Sequence, residues 1–208
     1  MSSNPFEKRS NVCRFLERST FFNIFNLVIG ANRSRATLAE CYIKARDGEK
    51  ILDMGSGTSN ILHFLPRVDY IGFDSNRFYV EAAQRQHSSR GIFFYGNVKD
   101  YAVEQPASFD IVLALGVLHH LDDLEAHQLF QAARTALKKG GRMITFDGCY
   151  TDNQSPLVRW ILSMDRGAYV RKKEEYIFLA KKIFPAVRST TRHDLLWIPY
   201  THLIMECS

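Results

Sequence analysis

The chain has 208 residues, 46% hydrophobic and 24% charged, with a formal net charge of +5, which suits one globular domain with a sizeable core and excludes an intrinsically disordered chain. The charge is uneven: residues 1–50 carry nine basic and five acidic side chains, residues 51–150 nine and eleven, and residues 151–208 nine and six. Apart from the run Arg171, Lys172, Lys173 the cations are dispersed, which argues against a nucleic-acid binder, where they gather in a stripe or arm.

The opening MSSNPFEKRS lacks the apolar core of a signal peptide, and no stretch reaches the ~20 apolar residues of a spanning helix. Cys13, Cys41, Cys149 and Cys207 lie far apart, without the paired spacing of a zinc or redox site. Free thiols and a cytoplasmic location are the expectation.

Residues 1–47 read as helical, with Phe21, Phe22, Ile24, Phe25, Val28 and Ile29 forming an apolar stretch. This region has no place in the alternating pattern that follows and is expected to be a lid over the loops at the carboxyl ends of the strands. From Lys50 the chain alternates strand candidates, KILDM, DYIGFD, GIFFY, FDIVLAL and GRMITFD, with helices near 58–66, 76–88 and 122–138. The last helix is the clearest. Its apolar positions Ala126, Leu129, Phe130, Ala133, Ala136 and Leu137 recur at three and four, with Asp122 as N-cap and Gly140 past the end. A mostly helical insert over 154–184 precedes AVRSTT and YTHLIMEC, whose link RHDLLWIP is too short for a crossover helix, so these two runs should pair antiparallel. The expected fold is α/β, doubly wound and Rossmann-like: a seven-stranded, mostly parallel sheet with an antiparallel C-terminal strand and an N-terminal helical lid. The whole chain forms one domain, divided into lid (1–47), cofactor-binding core (48–150), and insert with strand pair (151–208).

The first unit carries ILDMGSGTSN at positions 51–60. Gly55 and Gly57 let the backbone turn sharply and let a ligand approach, and a helix beyond them offers N–H groups to a carboxylate or phosphate. Asn60 replaces the third glycine of a dinucleotide fingerprint, and no Gly-Lys-Ser/Thr follows. Asp53, directly before the glycines, is unwelcome beside a pyrophosphate but suits a ligand with positive charge. Asp74 ends the next strand, 21 residues later, where a carboxylate accepts from both vicinal ribose hydroxyls. A nucleoside bearing an ammonium or sulfonium is implied, and S-adenosylmethionine meets each requirement.

The set ILDMGSGTSNIL, YIGFDSN, FYGNVKDY, FDIVLALGVLHHLDD and ALKKGGRMITFDG, in that order and spacing, resembles the class I S-adenosylmethionine-dependent methyltransferases, particularly the ubiquinone/menaquinone-type small-molecule branch. The resemblance covers roughly residues 48–148 and extends through the final strands. It implies that Asp53, Gly55, Ser56 and Gly57 face the methionine part of the cofactor and Asp74, with Ser75 beside it, the ribose. Asn97 and Val98 would border the adenine, and Leu115 and Gly116 would line the pocket by their backbone. Asn97 stands where the family often has Asp, and Ser56 where Cys is frequent.

Methyl transfer is an in-line displacement at an activated carbon, so no nucleophilic residue is needed, although an O- or C-acceptor calls for a base. Candidates at the strand ends are His119, His120 and Asp147, with Tyr150 nearby. His119 is expected to be the one exposed to substrate and His120 a structural hydrogen-bonder. In the insert, Arg166 and Arg171 form a candidate clamp for an anionic acceptor, among Asp165, Tyr169 and Tyr176; His193, Asp194, Trp197 and Tyr200 follow in the link. Packing of the aromatics on the sheet and surface pairing of Arg with Asp are the simpler account of those residues. The seven histidines show no metal-ligand spacing, so no metal site is expected. The reading is a methyltransferase acting on a small-molecule acceptor. The alternatives are a nucleic-acid methyltransferase, for which neither an Asn/Asp-Pro-Pro-aromatic nor a Pro-Cys motif is present, and a non-catalytic S-adenosylmethionine-binding protein.

Overall fold

The computed structural model describes residues 30–96, 104–164 and 167–208. Helix α1 (Ala31–Leu38), continued by a π-helical turn (Ala39–Ile43), turns Ala31, Ser34, Leu38 and Ile43 inward. Seven strands follow: β1 (Lys50–Met54), β2 (Asp69–Asp74), β3 (Gly91–Tyr95), β4 (Phe109–Leu115), β5 (Leu137–Gly148), β6 (Val187–Arg192) and β7 (His202–Cys207). They lie in the order β3-β2-β1-β4-β5-β7-β6. β7 runs antiparallel to both β5 and β6, while the pairs β1/β2, β1/β4, β2/β3 and β4/β5 are parallel. One reversed strand among six co-directional ones is what the short link between residues 192 and 202 dictates.

The sheet is buried on both faces because its central strands alternate two sets of apolar side chains. Leu52, Met54, Val112, Ala114 and Met143 point to one side, where α3 (Asp123–Ala136) supplies Ala126, Phe130 and Ala133. α5 (Lys173–Lys181) adds Tyr176 and Leu179 there. Ile51, Ile111, Leu113 and Ile144 point to the other, against Leu38, Ile43, Ile61, Leu62 and the Val80 and Ala83 of α2 (Arg77–His87). Helix α4 (Pro156–Ser163) opens the insert. Of the expected lid, residues 30–47 therefore include a core helix lying along a sheet face; the apolar stretch over 21–29 lies outside the described residues.

Two helix boundaries differ from expectation for local reasons. Asp122 does cap α3: its carboxylate accepts from the Glu125 N–H at 2.8 Å and Glu125 accepts in return from the Asp122 N–H at 3.0 Å, a reciprocal box. The helix stops at Ala136, however, because Leu137 turns extended and pairs with Phe109. The register then jumps, Arg142 facing Ile111, and the bulged residues turn through Gly140 at φ 81°. After the glycine loop there is no α-helix over 58–66 but one short 3₁₀ helix, Asn60–Phe64. Pro66 disfavours α geometry at the residue before it, and Leu65 is extended at φ −90°, ψ 149°.

The order of strands reverses between β1 and β4, which both lead outward from the first unit. An open α/β sheet has its crevice at that point, outside the carboxyl ends.

Candidate active site

Asp53, near the end of β1, projects from the same face as Ile51, whose cross-strand partner is Tyr70. The Tyr70 hydroxyl donates to Asp53 Oδ2. The other oxygen, Oδ1, is buried with no hydrogen-bond partner among the described residues. Burial pushes the Asp53 carboxyl up to about 6, the Tyr70 bond pulls it back, and the neighbouring Asp74 charge adds to the rise. The Tyr70 phenol is driven upward by burial and by the Asp53 charge. An unpartnered acceptor in a dry position costs stability, and an incoming cation or ammonium donor would satisfy it.

The loop beyond is held by β2. Gly55 and Ser56 donate their N–H groups to the Phe73 carbonyl at 2.8 and 2.9 Å, and Gly57 donates to Asp74 Oδ2 at 2.8 Å. Asp74 Oδ1 accepts from the Asn76 N–H at 2.7 Å. One half-buried carboxylate thus fixes the glycine loop and the turn into α2 together, with lone pairs left for a ligand's hydroxyls. Ser75 beside it is exposed. Gly55 (φ 79°) is required twice over, by its conformation and because a Cβ would sit 2.6 Å from Val117 Cγ2. Gly57 (φ 53°) has nothing within 4 Å of a Cβ position, so its missing side chain leaves open space. Ser56 lies over Gly72, whose Cβ would come within 2.8 Å of the Ser56 hydroxyl oxygen.

Across the crevice, Leu115 ends β4, and Gly116 (φ 74°) donates to the Phe146 carbonyl at 2.6 Å. Val117, touching the Gly55 position, joins this side to the glycine loop. The six cofactor candidates at the ends of the first two strands, Asp53, Gly55, Ser56, Gly57, Asp74 and Ser75, and these two residues therefore meet at one place. Asn97 and Val98 lie outside the described residues.

A short 3₁₀ helix (Leu118–His120) carries the histidines. His119 is buried and His120 exposed, the reverse of the expected exposure. The reason is Asp147 at the end of β5, whose Oδ1 lies 2.8 Å from His119 Nδ1 and accepts the His119 backbone N–H at 3.2 Å. A carboxylate only accepts, so Nδ1 is the donor and Nε2 is the ring's basic nitrogen. Asp147 Oδ2 has no partner among the described residues. The two imidazoles stand 4.1 Å apart, centroid to centroid.

Arg171 does not face the crevice. It is 8% exposed, and every N–H of its guanidinium is used. Nε and Nη2 reach Asp123 Oδ1 at 3.0 and 2.8 Å. Nη1 donates to the carbonyls of Leu118 at 2.9 Å and Tyr169 at 3.1 Å, and Nη2 to that of Leu121 at 2.7 Å. With no donor left, it cannot be half of an anion clamp; the sequence shows the cation but not that backbone carbonyls from a distant turn surround it. The other half, Arg166, and Asp165 lie outside the described residues. Asp194 forms a surface pair with Arg192, both contacts at 2.7 Å. Tyr150 forms a backbone bridge with Lys172, and the Arg159 guanidinium lies over its ring at 5.2 Å.

Three contributors escaped the sequence reading: Tyr70, Val117 and Gly167, whose Cβ would collide with the His119 ring and approach the His119 carbonyl to 2.6 Å. Only the strand register, Asp53 beside Gly72 and Ile51 beside Tyr70, puts Tyr70 on the face of Asp53. Among the described residues no group of three or more His, Cys, Asp or Glu side chains is arranged to hold a metal ion, and no helix is long and apolar enough to cross a membrane.

A family model described as a methyltransferase domain matches residues 52–143. No curated protein matches the sequence. Among solved structures the chain is similar to the pyocyanin biosynthetic protein PhzM, at 19% identity and TM-score 0.66 over 86% of this chain and 55% of that one. It is similar to the YcgJ protein from Bacillus subtilis, at 15% identity and TM-score 0.67 over 85% and 98%. It is also similar to geranyl diphosphate C-methyltransferase from Streptomyces coelicolor A3(2), solved with Mg2+, geranyl-S-thiolodiphosphate and S-adenosyl-L-homocysteine, at 14% identity and TM-score 0.66 over 83% and 75%. At these identities the likeness is one of fold, and the chain spans little more than half the length of PhzM.

Proposed function

From the match of residues 52–143 to a methyltransferase-domain model, we propose that this chain transfers a methyl group from S-adenosylmethionine to a small-molecule acceptor. The observation that carries the reading is the pair of carboxylates flanking the glycine loop. Asp53 holds an unpartnered buried oxygen that fits the cofactor's cationic part, and Asp74 is fixed by two backbone N–H groups where it can accept from ribose hydroxyls. The open space at Gly57 fits the methionine chain, with Ser56 beside it, and Leu115 and Gly116 form the opposite wall. Asn97 and Val98 are assigned to the adenine by position in the sequence, and Ser75 to the ribose edge.

The bound cofactor supplies an electrophilic methyl group on a sulfonium. The protein's part is alignment, exclusion of water and removal of the acceptor's proton. His119 Nε2 takes that proton, because Asp147 commits Nδ1 as a donor and stabilises the imidazolium that forms. His120, exposed beside it, is the second candidate for contact with the acceptor. The fold shared with an enzyme solved with a diphosphate ligand supports an acceptor that is small and anionic, and the dispersed cations speak against a nucleic acid. The thiols of Cys41, Cys149 and Cys207 are free, which supports a reducing, cytoplasmic setting.

Labelled-methyl transfer from the cofactor into a fractionated cell extract tests the reading. Label in a low-molecular-weight fraction is the expected result, lost on Asp74→Ala. Label confined to nucleic acid would replace the acceptor class, and cofactor binding without transfer into any fraction would leave a binding protein.

A further inference from the structure

We propose that Arg171 and Gly167 are positioning residues that hold the His119 turn, so that the imidazole stays against Asp147. The inference rests on His119 being the proton acceptor of the proposed reaction. The turn is short: a 3₁₀ helix of three residues holds itself at its end by the Leu121 N–H on the Leu118 carbonyl at 3.2 Å and leaves the following carbonyls, and the second lone pair of Leu118, to outside partners. Residues of the insert supply them. Arg171 takes the Leu118 and Leu121 carbonyls, which bracket the two histidines, and the Tyr169 N–H takes the His119 carbonyl at 2.9 Å. Nε of the same guanidinium is tied to Asp123 in the first turn of α3, so the turn is braced against the helix that follows it.

The ring itself is caught from two sides. Asp147 holds its Nδ1, and Gly167 packs so closely that a Cβ there would overlap the imidazole and stand 2.6 Å from the His119 carbonyl. Arg171 touches the backbone of the turn and not the crevice, which makes its effect on chemistry indirect. A lysine keeps the charge but has no planar fork, so it cannot reach carbonyls on both sides of the turn and the Asp123 carboxylate at once.

The test uses the full chain, labelled with nitrogen-15, and reads the histidine side-chain resonances with no acceptor present. Wild type is expected to show His119 as the Nδ1–H tautomer. Arg171→Lys and Gly167→Ala are each expected to bring in the second tautomer or shift the ring signals. Methyl transfer into the extract should fall about 10- to 100-fold, the usual cost of a misplacement near 1 Å, while affinity for adenosylhomocysteine stays at the wild-type value. His119 signals unchanged in both variants, or an Nε2–H tautomer in wild type, would overturn the proposal. A wild-type chain that binds no adenosylhomocysteine, yet whose His119 signals respond to both substitutions, would contradict the assigned function and leave the brace standing.

Discussion

Asp53 is the residue whose environment says most about the ligand. Its folded value of about 6 lies above the ordinary 3.8 because the carboxylate is buried. The folded chain therefore holds an extra proton between those two values. Stability of the ligand-free protein is fully present below about pH 4, declines as pH rises toward 6 and levels off above, a change of up to about 3 kcal/mol from this one group. Asp53→Asn removes that part of the slope, which denaturant midpoints of the two proteins at pH 4 and pH 7 will show. A cationic ligand favours the ionised form, so affinity for S-adenosylmethionine should rise as pH passes through about 6 and then flatten, and calorimetry on Asp53→Asn should lose the rise. The two loop glycines should behave differently. Gly55→Ala meets Val117 and lowers the melting temperature. Gly57→Ala meets nothing and costs only the left-handed strain of about 1–2 kcal/mol, yet its methyl fills the open space and weakens cofactor binding.

At the scale of elements, the strands and the long helix were legible because each repeats one signal over many residues. α3 shows this well: its apolar period and the Asp122 cap stand in the sequence, whereas its end at Ala136 does not, because Leu137 keeps the period yet turns extended to pair with Phe109; Asp122→Ala should cost about 0.5–2 kcal/mol in a thermal melt. Elements shaped by neighbours were not legible. The glycine loop's helix shrinks to a 3₁₀ helix under the influence of Pro66, a local effect that the apolar pattern of Ile61, Leu62 and Phe64 masked. The exposure of His119 and His120 is decided by Asp147, 28 residues away, and the role of Arg171 by carbonyls about fifty residues back. Neither distance leaves a periodic trace. Arg171→Ala removes the donor from the Leu118, Leu121 and Tyr169 carbonyls, while the exposed Asp123 carboxylate returns to water, so a loss of about 1–3 kcal/mol in urea denaturation is expected.

On the scale of the whole molecule, topology brings the pieces together. Reversal of strand order between β1 and β4 puts the Asp53–Asp74 loop against Gly116 and Val117, while β5 brings Asp147 beneath the histidine turn. The motifs are separated by up to 94 residues and become one crevice only because the first three strands wind one way and the next two the other. Their order in the sequence allowed this arrangement to be expected, whereas the bracing of the histidine turn by the insert depends on packing between segments with no shared period. The central claim is that this crevice takes a cationic adenosine derivative in place of a diphosphate. Calorimetric titration of the full chain with adenosylhomocysteine and, separately, NADH tests it most directly. Saturable binding of the first, weakened by about 1–3 kcal/mol in Asp74→Ala, and no heat from the second are predicted; NADH bound and adenosylhomocysteine ignored would contradict it.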